Sequence, residues 1–211
     1  ATTEIYTLSL HDALPILELF KDDHRVSAIC GFPRMIRIPK EYNDNFYADY
    51  SFNAWGFGTW KRVWNAQHWD VSTIYKVLRN PVDLWRIYNV YESLAFTLVN
   101  MINDKRVYGD AYWVLNNIRY DSVSIYPTIG KVRNWGHDGT GVHCPTLSDS
   151  PYHTVEIDDN KLFDFSSNNI HVDSRIHSQI AGKTKLKIKG RVKFALAYAK
   201  FWINQMLNIF Q

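Results

Sequence analysis

The chain has 211 residues, enough for one domain with a substantial core, and its aromatic content of 15% supplies large side chains to fill it. No apolar run is long enough to cross a bilayer, no segment has the order of a secretory signal, and the two cysteines, Cys30 and Cys144, match no paired metal spacing. The formal charge of +3 is uneven: from Ser174 onward eight Lys or Arg residues meet no Asp or Glu, which leaves the first 173 residues at a formal −5.

Thr7 to Ile16, TLSLHDALPI, resembles the translation of a common sequencing-library adapter, so residues 1–16 are set aside as a non-native segment. The competing reading is an amphipathic start built on Leu8, Leu10, Leu14 and Ile16. Leu17 to Phe20 then ends a helix, Lys21 to His24 turns, and Arg25 to Cys30 is a short apolar strand stopped by Gly31. The adjacent acids Asp22 and Asp23 read as a solvated turn rather than a metal site. Arg34 to Asn45 is a polar loop carrying Pro39, and Tyr47 to Phe57 is a strand or extended segment. Thr59 is expected to cap a helix through Asn65, with Trp60 and Trp64 on one buried face and Lys61 and Arg62 solvated. Ser72 caps the next helix. Pro81 opens the longest amphipathic one, whose apolar positions run from Leu84 to Ile102, and after a turn Asp110 caps a helix through Tyr120.

A β-branched run ending at Pro127 leads to a second apolar run, Val132 to Trp135. The loop beyond it holds Gly136, Gly139 and Gly141 beside His137, Asp138 and His143. Glycines there let the backbone approach a ligand, and the acid and imidazoles can bind a metal or move protons; the plainer reading is a glycine-rich turn with satisfied histidines. Thr154 to Ile157 and Lys161 to Phe165 are strands or docked coil, and Ser166 to Gly182 is a linker. Val192 to Phe210 is a helix behind a run of cations. It either lies on an anionic bilayer, with Tyr198 and Trp202 at the headgroups, or packs on the domain.

Three ordered motifs carry a family resemblance over Leu17 to Cys144. AWGFGTWKRVW, from Ala54 to Trp64, resembles the tryptophan-rich motif of bacterial family-2 glycosyltransferases, with Phe57 and Gly58 replacing the usual tryptophan and alanine. Asp110-Ala111-Tyr112-Trp113 resembles that family's acidic residue opening a helix beside the acceptor cleft. Ser124-Ile125-Tyr126-Pro127 followed by NWGHDGTGVHC, Asn134 to Cys144, resembles the segment that closes its catalytic domain.

The resemblance implies an α/β fold: residues 17–165 as the C-terminal, acceptor-side half of a GT-A nucleotide-diphospho-sugar transferase, truncated at its N-terminus, with 166–211 as linker and basic amphipathic tail helix. It implies an inverting glycosyltransferase that moves sugar from a nucleotide sugar to a glycan or lipid-linked acceptor in surface-polysaccharide assembly. The expected location is the cytoplasm, peripherally on the inner face of the cell membrane. Asp110 is then the catalytic base, Trp55, Gly56 and Trp113 bind the acceptor, and His143 with Asp138 contacts a divalent metal (Mn or Mg) or the diphosphate. A carboxylate at a helix N-terminus is expected to stay ionised without being unusually basic. The metal's main ligands belong to a donor half preceding Leu17, so the fragment by itself is expected to lack activity. The alternative is a non-catalytic carbohydrate-binding or scaffold protein. Nucleic acid is not an expected partner, since the body is acidic and the basic run matches no recognition module.

Overall fold

The computed structural model describes residues 16–67, 69–132, 157 and 170–209. Its centre is a mixed four-stranded sheet in the order β2-β4-β1-β3, from β1 (Val26–Cys30), β2 (Phe46–Asp49), β3 (Phe57–Gly58) and β4 (Val123–Pro127). β4 runs parallel to β1 and antiparallel to β2, and β3 closes the other edge antiparallel to β1. Helices complete an α/β fold. Residues 16–19 form a helical turn, α1, followed by α2 (Lys61–Ala66), α3 (Val71–Arg79), α4 (Pro81–Val90), α5 (Glu92–Asn103), α6 (Gly109–Tyr120), α7 (Ser174–Thr184) and α8 (Ile188–Ile209).

Both faces of the sheet are covered, which is why β1, β2 and β4 are buried throughout. Val26, Ile29, Phe46, Ala48, Val123 and Ile125 pack on one side against Ile16 and Phe20, while Ala28, Cys30, Tyr47 and Tyr126 join the helices on the other. Val26 and Ile29 share a face although three residues apart, because the β1–β4 register slips between Val26 and Ala28. The slip is filled by Ser27, whose Oγ donates to the Val123 carbonyl and accepts from Trp113 Nε1, each at 3.1 Å. Ile16, grouped above with the adapter-like segment, is buried at the base of this sheet; residues 1–15 lie outside the described region.

Several expected boundaries shift for local reasons. Thr59 does not cap α2, because its hydroxyl donates instead to the Ser27 carbonyl, and the residue at the cap is Trp60. Asp70, not Ser72, caps α3 by accepting from the Thr73 amide. Asn80 caps α4 with Pro81 in its first turn, but the long helix expected from Pro81 to Ile102 breaks at Tyr91, whose backbone is extended (φ −145°, ψ 102°). That break turns the Tyr91 hydroxyl onto Asp49. Trp60 is half-buried, with its Nε1 donating to the Leu17 carbonyl, whereas Trp64 is exposed. Arg62 is not merely solvated: its guanidinium donates to the carbonyls of Lys21, Phe20 and Asp23 and clamps the turn before β1.

The segment read as a linker contains α7. Asp173 caps it by accepting from the Arg175 and Ile176 amides, and Ile176 and Ile180 are buried in the main core. α8 packs on α5 and its neighbours through one face. Phe194 stacks on Tyr88 at 5.5 Å, the Tyr198 hydroxyl donates to the Leu78 carbonyl, and Phe201 is fully buried, worth about 1.5–3 kcal/mol. Tyr198 therefore faces the protein and Trp202 is half-buried, not placed as headgroup anchors. Among the described residues no helix is long and apolar enough to cross a membrane.

The Asp49 carboxylate is completely buried and accepts from His177 Nδ1 at 2.8 Å, from the Tyr91 hydroxyl and from the Ser51 amide. Burial by itself raises its pKa, but these hydrogen bonds outweigh it and hold the carboxyl below its ordinary value. Stability from Asp49 is therefore present above about pH 4 and lost as pH falls through the lower folded value. Asp49→Asn is expected to cost roughly 1–3 kcal/mol in urea denaturation near neutral pH and to flatten the acid limb of the stability profile. An unchanged urea midpoint would show that the network contributes nothing.

Candidate functional site

Two cavities, of about 330 and 220 Å³, meet between the 32–36 loop, the segment after β2, the start of α6 and the end of α7. They share Arg34, Phe52, Asp110, Ile180 and Thr184, and so form two lobes of one cleft. The larger lobe adds Trp55, Asn53 and Lys183; the smaller adds Tyr91, Leu94 and Val114.

Each wall follows from the fold beneath it. Asp49 ends β2, and two residues on, Ser51 Oγ donates to the Tyr126 hydroxyl and accepts from Arg34 Nε at 3.2 Å. Arg34 also donates to the Phe52 carbonyl, while its backbone amide donates to the Tyr47 hydroxyl. The guanidinium is thus fixed at the junction of the lobes. The loop expected to be merely polar is strapped to α7 as well: the Arg37 amide donates to Gln179 Oε1, and Gln179 Nε2 donates to the Arg37 carbonyl. On α7, His177, Ile180 and Thr184 share a face at i, i+3, i+7 spacing, so the bond from His177 to Asp49 turns Ile180 and Thr184 into the cleft.

Asp110 lies in the first turn of α6 but is not its cap; Tyr108 holds that position, without a side-chain bond. Exposed yet lining both lobes, Asp110 stands at their rim. Loss of surrounding water pushes its carboxyl above the ordinary value, and the Arg34 charge pulls the other way. The expectation from sequence is an acid kept ionised by the helix start without being unusually basic; the helix start does not donate to it, so desolvation makes it more basic than an ordinary aspartate.

Trp55 lines the larger lobe, its ring edge-on to Phe32 at 4.9 Å. Gly56 serves the turn: its φ is +60°, and a Cβ there would meet Val132 Cγ1 at 2.8 Å. Trp113 offers no surface to an acceptor. It is 1% exposed and stacks behind Phe52 at 4.5 Å, so it supports a cleft wall instead of forming one. His143 and Asp138 lie outside the described residues. Among the described residues no group of His, Cys, Asp and Glu is arranged to hold a metal ion, and the cleft lines its single described acid with two cations, Arg34 and Lys183, a donor set that does not fit a divalent cation. Cys30 is no nucleophile either, since burial pushes its thiol up to about 11.

Sequence reading missed Arg34, Asp49, His177 and Lys183. Asp49 carried one usable signal, an acid within the apolar run FYADYSF. The others sit in loop and tail segments with no periodicity to mark them. Compared with known proteins, the chain matches no family model, no curated protein and no solved structure.

Two measurements check this geometry. In the carboxyl NMR spectrum Asp110 should titrate above the ordinary aspartate value, and Arg34→Gln should move it higher still, because the cation that favours the ionised form is gone; an unmoved titration would separate the two groups. Gly56→Ala should lower stability by about 1–3 kcal/mol in chemical denaturation, from the left-handed backbone and the Val132 contact together.

Proposed function

We propose that the chain is the acceptor-side half of an inverting glycosyltransferase of GT-A architecture, using a nucleotide sugar as donor and a glycan or lipid-linked acceptor. The observation that carries this reading is Asp110: a carboxyl made more basic by its surroundings, at the rim of a cleft that also holds a fixed guanidinium and an aromatic ring. The motif order from Trp55 through Asp110 to Pro127 supports it, as do the mixed α/β sheet and the presence of Trp55 and Asp110 in the lining of one cleft.

In this reading an acceptor hydroxyl lies against Asp110 in the larger lobe. As its oxygen bonds to the anomeric carbon, its proton passes to an Asp110 oxygen. The anomeric carbon–phosphate oxygen bond breaks with its electron pair going to the departing nucleoside diphosphate, and the configuration inverts. Arg34 and Lys183 place positive charge beside the anionic groups, and Trp55 gives an apolar face to a sugar ring. A divalent metal bound elsewhere would neutralise diphosphate charge. The described residues do not form its site, so no step here depends on it.

The test expresses the full-length gene product that contains this chain and screens nucleotide sugars for transfer. Asp110→Asn is expected to lower turnover by about 100-fold or more while leaving the thermal midpoint nearly unchanged, since Asp110 makes no capping bond. Ordinary turnover in that variant would remove Asp110 from the chemistry. Glycan binding without transfer from any donor would favour the non-catalytic carbohydrate binder.

A further inference from the structure

The face of α8 turned away from the protein has a different composition from the face that packs. At about 100° per residue, Ile188, Val192, Leu196, Ile203, Met206 and Leu207 fall within an arc of about 100°. They are between 54% and 83% exposed. Phe194, Tyr198, Phe201 and Gln205 lie on the opposite side and make the contacts with the domain. The outer stripe is therefore not a core surface viewed from outside; it is a second apolar face on a helix that has already satisfied its first.

Its border is cationic. Lys189, Lys193 and Lys200 follow one edge of the stripe, within about 40° of it. All three are exposed and make no ion pair among the described residues, whereas Arg191, on the far edge, is committed to Glu92 at 2.9 Å. No acid occurs anywhere from Ser174 to the end of the chain, so nothing in the tail offsets this charge. An apolar stripe about 30 Å long with unpaired lysines along it is complementary to a surface that is apolar below and anionic at its boundary.

We propose that the outer face of α8 docks on the surface of an anionic lipid bilayer, its apolar stripe entering the acyl boundary and Lys189, Lys193 and Lys200 meeting lipid phosphates. The helix lies along the membrane without crossing it, with Phe194, Tyr198 and Phe201 still holding the domain. This docking does not rest on the transferase reading.

The experiment is vesicle flotation of the intact chain, with phosphatidylcholine vesicles alone and mixed with phosphatidylglycerol. Flotation with the mixed vesicles only is expected, decreasing as salt rises. Leu196→Ser combined with Ile203→Ser should lower partitioning by about 10-fold or more, and Lys189→Glu with Lys193→Glu should abolish the preference for anionic lipid. All four positions are solvent-facing, so an unchanged thermal midpoint checks that the fold survives. Flotation with neither vesicle, equal flotation with both, or a dimer dissolved by the Leu196 and Ile203 substitutions would overturn the proposal.

Discussion

A buried carboxylate has to be compensated, and the way Asp49 is compensated sets the arrangement around it. With no access to water, its oxygens must be met by donors from the protein, and those donors come from three separate places: the Ser51 amide just past β2, the Tyr91 hydroxyl at the α4–α5 break and the His177 ring on α7. An ionised carboxylate only accepts, so His177 Nδ1 carries the proton in this bond and its orientation is set. Breaking any one contact would leave charge buried with incomplete solvation. The sheet end, the helix break and the tail helix are thereby held to one another by a group that contributes no apolar contact itself.

The cleft is what these constraints enclose. Ser51 bonds to Asp49 through its amide and to Arg34 through its hydroxyl, and the Arg34 charge bears on Asp110, so one network of contacts runs from the buried carboxylate to the cleft. His177 brings in α7, which supplies Ile180, Lys183 and Thr184 to the larger lobe and holds the 34–45 loop through Gln179. The C-terminal segment is thus part of the site. Its cations divide by environment: Lys183 lines the cleft, Arg191 pairs with Glu92, and the lysines of α8 face outward.

α8 also shows that packing and exposure are compatible on one element. The sequence posed them as alternatives, because a helix of this composition can serve either. In the structure the aromatic residues Phe194, Tyr198 and Phe201 take the inward face, where large flat side chains fill space between α3, α4 and α5. The aliphatic residues take the outward one. The division follows the helical period, but composition averaged over the helix conceals it.

What the sequence by itself determined was local: strands at Val26 to Cys30 and Val123 to Pro127, the helix opening at Pro81, the helix from the Asp110 region to Tyr120, and a C-terminal helix. These depend on β-branched runs, proline geometry and apolar periodicity, all of which act within about ten residues. Only the tertiary structure decided which tryptophan is core and which is exposed, that Thr59 bonds to Ser27 in place of capping α2, that Tyr91 interrupts a periodic run, and that residues read as linker form α7. Each of these turns on a partner far away in the chain: Ser27 for Thr59 and Trp113, Asp49 for Tyr91 and His177. A hydroxyl, an indole or an imidazole has the same local propensity whatever it meets. The energy of a buried hydrogen bond, set by the absence of water around it, then outweighs that propensity and selects the conformation.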